Sequence, residues 1–252
     1  MDLIKRVVEA YNGWLAGLYQ FDLPQLRFPQ QCYLCHQPSD DICCSFCTAD
    51  LPHTSALRVQ HDQPNLLLNP KLKATLAQPA FQQLIAPMRY RWPISNLVQD
   101  FKYHHKDKFA TLFADWMLPS IREIADQTPP DILVPVPIHP LRQLHRYYNQ
   151  AELLANSLSQ KLNIPVSPQL CKRIMYQRSQ TQLSGKARRN QLQRTFAINE
   201  NVAMSLSQLT VKRIVIVDDV ITTASTANAV AKVLKRRFPR AQIDVWAVAV
   251  SA

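Results

Sequence analysis

The stretch "VIVDDVITTAST", residues 215–226, decides the fold. Val215, Ile216 and Val217 are apolar and β-branched, the composition of a buried strand. Asp218 and Asp219 follow at once, and then the hydroxyls of Thr222, Thr223, Ser225 and Thr226. Residues 227–238, "ANAVAKVLKRRF", carry apolar side chains at helical spacing. Strand, acidic pair, hydroxyl-rich turn and helix suggest an anion held where the first amides of a helix lack internal partners. The turn contains no glycine, and Ala224 stands inside it. If position 224 takes φ > 0, alanine costs about 1 kcal/mol there; if it is helical, alanine costs nothing. Taken alone, two aspartates after a strand also have a plainer reading, a helix cap and a salt bridge.

Working outward, "DILVPVP" (131–137) is a short buried strand ended by prolines, and "NQAELLANSLSQKL" (149–162) is a helix with Asn149 as its cap. "LCKRIM" (170–175) and "RTFAI" (194–198) read as strands on either side of a basic loop, 176–190. "KRIVIVDD" (212–219) is a central strand, 226–238 a helix and "AQIDVWAVAV" (241–250) the last strand. Residues 92–126 form two helices separated by the charged "KYHHKDK". Alternating strands and helices predict an α/β fold, a mostly parallel sheet with helices on both faces. Ligands of such sheets bind beyond the C-terminal ends of the strands. Three segments should meet there: Asp218 and Asp219; "VPVPIHPLRQLHR" (134–146) with Arg142 and Arg146; and the basic loop with Arg178, Lys186, Arg188 and Arg189.

The formal charge of +11 is uneven. Residues 86–252 carry 23 Lys/Arg against 11 Asp/Glu, while residues 1–85 carry six against seven. No acidic residue lies between Glu152 and Glu200. Such a segment is either a solvated face or the footprint of a polyanion. Five of six cysteines fall within "CYLCHQPSDDICCSFC" (32–47). Cys32/Cys35 and Cys44/Cys47 form two C-x2-C knuckles, the spacing of a structural zinc site, with Cys43 an alternative to Cys44 and His36 or His53 less favoured ligands. Two disulfides are the rival reading, which a cytoplasmic location disfavours. Four thiolates leave no open position for catalysis by the metal. Apolar runs such as "VWAVAV" are too short to span a bilayer, and the N-terminus has no signal-peptide pattern, so a cytoplasmic protein is expected.

With these residues in place, the chain resembles a known family. "VIVDDVITTAST" is similar to the ribose-phosphate motif of type I phosphoribosyltransferases. "DILVPVPIHPLRQLHRYYNQAELLA", the paired C-x2-C knuckles, "LVQDFKYHHK" and "QTQLSGKARRNQLQRTF" together resemble the ComF competence-protein family, in the same order and from Cys32 to the end. The resemblance departs from the family pattern at Ala224 for glycine, at Arg146-Tyr147-Tyr148 for R-G-F, at Gln182 for glycine and at Gln191 for asparagine. It implies a type I phosphoribosyltransferase-like fold plus a small N-terminal zinc module. The expected divisions are an amphipathic helix and lead-in (1–30), the zinc module (31–54), a connector (55–90) and the phosphoribosyltransferase-like domain (91–252).

The resemblance also implies roles. Asp218 and Asp219 take the ribose hydroxyls; Thr222, Thr223, Ala224, Ser225 and Thr226 take the 5′-phosphate. Pro135, Val136 and Pro137, with Arg142 and Arg146, face pyrophosphate, and Mg²⁺ bridges the ligand's oxygens. Arg178, Lys186, Arg188 and Arg189 belong to a basic loop that closes over the ligand or meets nucleic acid. The implied partners are phosphoribosyl pyrophosphate, incoming single-stranded DNA and a competence helicase. Three functions compete: DNA handling in natural transformation, an active phosphoribosyltransferase, and a non-catalytic metabolite sensor. No catalytic residue is named by the sequence.

Overall fold

The computed structural model describes residues 31–58, 63–76, 79–103, 108–139, 148–174, 195–207 and 210–251. Contacts divide the chain into two compact units on either side of the Asp50–Leu51 bond. In the first, the described residues form two cysteine knuckles and a short helix, α1 (Ser45–Ala49), with the Cys44 side chain as its N-cap.

The second unit is built on β6 (Arg213–Ile221) and β7 (Gln242–Val250). β6 is rich in Val and Ile and β7 in Val and Ala, and β7 is buried from Ile243 to Val250. A strand buried on both faces is the signature of a parallel sheet covered by helices. The observed order is β1-β7-β6-β3, every pairing parallel, with β1 (Gln83–Ile85), β2 (Met88–Arg89) and β3 (Ile132–Pro135) at the two edges. β1 and β2 both pair with β7, where the notch at Ala86–Pro87 interrupts a single edge. Segment 55–90, expected as a connector, thus supplies two strands of the main sheet. Three- and two-residue strands have no readable alternation, and Leu84 finds Val245 only through the fold. A separate antiparallel pair, β4 (Cys171–Arg173) with β5 (Phe196–Ile198), flanks the basic loop.

Strand alternation sends Ile214, Ile216, Ile243 and Val245 to one face, under α7 (Ser225–Arg237). Ala227, Val230, Ala231 and Leu234 of α7 pack there; the alanines let the helix lie close to the sheet. On the opposite face, α4 (Phe109–Ala125) covers β7, and α5 (Gln150–Leu162) covers β6 and β3. The expectation of helices on both faces is met. Before α4 comes α3 (Ile94–Tyr103), whose Phe101 meets Phe113 edge-to-face at 5.5 Å. The remaining helices are α2 (Pro70–Thr75), capped by Asn69, and α6 (Glu200–Ser207).

At the base of the sheet, buried Arg213 ties together three segments. Its Nε donates to Asp244 Oδ2 at 2.7 Å, Nη2 to Gln83 at 3.0 Å, and Nη1 to the Thr128 hydroxyl and carbonyl. Burial pushes the Asp244 carboxyl above its usual range, against the opposing pull of Arg213 and Gln242.

Candidate functional site

β6 outruns its neighbour. β3 ends with Pro135 opposite Val217, and the Val136 N–H closes the pair on the Val217 carbonyl at 2.9 Å. Past Val217, Asp218, Val220 and Ile221 pair with β7, and among the described residues no strand pairs with β6 on its other side there. The two aspartates therefore sit inside the strand rather than after it, on the stretch of β6 that extends past the end of β3. Ligands of open α/β sheets bind beyond the carboxyl ends of the strands, the end at which this overhang lies.

The two carboxyl groups are successive along the strand and remain within reach of each other. Asp218 shares the α7 side with Ile214 and Ile216; Asp219 shares the other with Val215 and Val217. Buried Asp219 accepts the Val220 N–H at 2.7 Å through Oδ1 and meets Lys102 Nζ at 2.8 Å through Oδ2. Half-buried Asp218 accepts the Asp219 N–H at 2.9 Å. Burial, and then the charge of Asp219, raises the Asp218 carboxyl well above its ordinary range. Burial by itself would lower the Lys102 ammonium; the Asp219 carboxylate outweighs it and holds Lys102 above its usual value. The salt bridge, the plainer reading of the pair, is thus realised at Asp219.

Lys102 is the residue that sequence reasoning missed. It lies in the last turn of α3, whose terminal carbonyls need partners from outside the helix. Tyr148 OH donates to the Phe101 carbonyl, and Gln150 Nε2 to the Lys102 carbonyl at 3.2 Å. Asn149 both caps α5, accepting the Ala151 N–H, and donates to the Val136 carbonyl at 3.1 Å. The start of α5 thus holds the end of α3 and the proline loop at once. No local signal marks Lys102, because its partner is far away in sequence.

After Ile221 the chain turns. Thr222 and Thr223 are exposed, Ser225 and Thr226 open α7, and Thr223 Oγ1 lies 2.8 Å from Ser225 Oγ. Ala224 takes φ 53° and ψ 9°, the left-handed region, as α7's cap residue, and offers no side-chain cap. The open question about this position is answered: alanine stands where glycine costs least. Pro135, Val136 and Pro137 are buried at the same end of the sheet. The structure therefore brings together Asp218, Asp219, residues 222–226 and Pro135–Pro137. Arg142, Arg146, Arg178, Lys186, Arg188 and Arg189 lie outside the described residues.

In the first unit, Sγ atoms of Cys32, Cys35, Cys44 and Cys47 lie within 4.8 Å of one another. Cys35 and Cys44 are 3.8 Å apart, matching the roughly 3.8 Å edge of a tetrahedron with metal–sulfur arms near 2.3 Å. Backbone N–H groups of Cys44 and Cys47 donate to Cys32 and Cys44 sulfurs at 3.3 and 3.5 Å. Burial acts to raise the Cys32 thiol, yet hydrogen bonds from Cys35, Cys44 and Leu34 bring it down to about 6. Such a donor set fits a metal ion. Cys43 stands outside the cluster, its thiol pushed up to about 12 by burial, so Cys44 is the ligand position. His36 takes a left-handed turn closing the first knuckle, its N–H on the Cys32 carbonyl at 2.9 Å.

A parallel sheet that delivers an acidic pair and a hydroxyl-rich turn to a helix N-terminus defines a phosphoribosyltransferase-type domain, and residues 149–249 match the family model of the phosphoribosyl transferase domain. The chain is 34% identical over 176 residues to competence protein F of Haemophilus influenzae, covering 68% of this chain and 74% of that protein. It is 29% identical over 230 residues to the DNA utilization protein YhgH of Salmonella typhimurium, covering 88% and 97%, and 27% identical over 228 residues to YhgH of Escherichia coli. The chain belongs to the competence protein F (ComF) family. Among the described residues, no helix is long and apolar enough to cross a membrane.

Proposed function

We propose that this chain handles incoming single-stranded DNA during natural transformation, in the cytoplasm, and binds phosphoribosyl pyrophosphate at the open end of β6. The single observation behind the ligand site is the Asp218–Asp219 pair in the β6 overhang, beside a helix N-terminus without a side-chain cap. Its relatives' names, competence protein F and DNA utilization protein, together with the net +12 of residues 86–252, support the DNA-handling part.

In this reading Asp218 and Asp219 accept the ribose hydroxyls, and Lys102 fixes the Asp219 carboxylate that does so. The amides and hydroxyls of residues 222–226 take the 5′-phosphate, where the helix dipole favours an anion. Pro135–Pro137, Arg142 and Arg146 face the pyrophosphate, and Mg²⁺ is held chiefly by the ligand's own oxygens. Arg178, Lys186, Arg188 and Arg189 close over the ligand or meet DNA. Zinc at Cys32, Cys35, Cys44 and Cys47 is structural, supplying folding energy to a unit too small for a large apolar core.

Calorimetry of phosphoribosyl pyrophosphate with and without Mg²⁺ tests the site. Wild type should bind, and Asp218→Asn/Asp219→Asn should lose binding. Equal affinity in both proteins shows that the pair is purely structural. Filter binding of single-stranded DNA at low salt tests the other half; no retention ends the DNA-handling reading. Transfer to an acceptor is the second reading, favoured by α3 ending directly on the acidic pair through Lys102. Pyrophosphate release with a panel of bases separates the two.

A further inference from the structure

We propose that the base of the sheet, opposite the Asp218–Asp219 end, carries a surface for the phosphodiester backbone of single-stranded nucleic acid, centred on Lys212, Arg236 and Arg240. This rests on the DNA-handling reading above and assigns it a location. A depression of about 490 Å³ opens between the end of α6, the lead-in to β6 and the turn from α7 to β7. Lys212, Arg237, Phe238 and Arg240 contribute to its lining.

The cations of this region fall into two groups. Lys235 Nζ donates to the Ala241 carbonyl at 2.8 Å, while Arg237 pairs with Glu200 at 3.1 Å and lies over the Phe238 ring at 5.4 Å. These two brace the turn. Lys212, Lys232, Arg236 and Arg240 are exposed, and their side chains have no partner among the described residues. The neighbouring acids are already engaged: Glu200 by Arg237, and Asp131 Oδ2 by the backbone N–H groups of Lys212 and Arg213, each at 2.7 Å. No acidic residue occurs between Asp219 and Asp244.

The helix dipole gives an ordinary reason for cations in the last turn of α7. It accounts for Lys235, Arg236 and Arg237. It does not reach Lys212, which enters from another segment, or Arg240, which lies past the helix. Lys212 and Arg240 bring unpaired like charges to one depression from two segments, with Arg236 exposed on the adjoining last turn of α7; such charges repel one another in the free protein, and a polyanion relieves that repulsion. The depression is of ligand-pocket size, large enough to seat a sugar-phosphate unit. Lys212 precedes Asp218 by six residues of strand, roughly 20 Å, so a nucleic-acid strand held at the base leaves the acidic end free.

The test uses the full chain and a dye-labelled thymidine oligonucleotide, with anisotropy measured across a salt series. The variant Lys212→Gln/Arg236→Gln/Arg240→Gln should give a log affinity against log salt slope shallower by about 2, from three single-strand phosphate contacts. A charge-preserving variant, Lys212→Arg/Arg236→Lys/Arg240→Lys, should restore the wild-type slope; failure to restore it makes the loss a folding defect and overturns the assignment. If wild type binds and the glutamine variant keeps its slope, the strand lies elsewhere, and an acidic protein becomes the partner to seek for this surface. If wild type itself shows no binding at low salt, the DNA-handling reading fails with it.

Discussion

Lys102 Nζ lies 2.8 Å from Asp219 Oδ2, joining the end of α3 to the open end of β6. Neither residue has an independent reason to be buried. Lys102 gives the buried Asp219 side chain a cationic partner, and the contact fixes the orientation of Asp219. Removing the lysine leaves the buried Asp219 side chain beside Asp218 without its cationic partner. Lys102→Met should destabilise the domain by about 1–3 kcal/mol, the cost of a buried polar group without its partner. Urea denaturation measures this. In the double variant Lys102→Met/Asp219→Asn most of the loss should return; additive losses would mean that the pair does not interact.

Asp218 contributes a pH dependence to stability. Its folded carboxyl is raised to about 8 by burial and the charge of Asp219, against roughly 3.9 when unfolded. Between those values the folded state binds more protons than the unfolded one, so stability falls as pH rises through the window. Apo protein should melt at a higher temperature at pH 6 than at pH 8.5. Asp218→Asn should flatten this dependence, and a slope identical to wild type would assign it to another group.

Ala224 holds a backbone conformation that suits glycine. Ala224→Gly should stabilise the domain by up to about 1 kcal/mol, offset in part by the greater freedom of an unfolded glycine. Ala224→Val should destabilise it, since a β-branched residue at φ 53° is a true outlier. The glycine variant should also tighten phosphoribosyl pyrophosphate binding. Unchanged melting in both variants would contradict the strain.

The cysteine cluster distinguishes its members by position. Metal analysis of purified protein should find one ion per chain, lost on Cys47→Ser and kept on Cys43→Ser. Chelation should expose residues 31–50 to protease before the larger unit, because a metal bound by the four cysteines would supply much of that segment's folding energy. Retained metal in Cys47→Ser would move the site elsewhere.

At the base of the sheet, Arg213→Met should cost about 3–5 kcal/mol by leaving Asp244 buried and uncompensated. Arg213→Met/Asp244→Leu should recover much of it. An equal loss in both variants would locate the cost in packing rather than charge.

Local patterns determined a good deal of this protein. The β-branched run 214–217, the helical spacing of 227–238, the prolines after β3 and the Asn149 cap are written in neighbouring residues, and so is the cysteine spacing. Each reports a preference of a few adjacent side chains, which is why each was legible. The cysteine spacing favoured Cys44 over Cys43, and the fold sets Cys44 in the cluster by the direction it gives the two side chains. The role of residues 83–89 was hidden, since a parallel edge strand depends on a partner more than 150 residues away. The Lys102–Asp219 pair and the left-handed Ala224 belong with these. The sequence placed two aspartates and a hydroxyl-rich turn before a helix. The tertiary structure alone decided that one aspartate is neutralised by a lysine from α3 and the other faces α7, because side-chain alternation and long-range packing, not adjacency, set their surroundings.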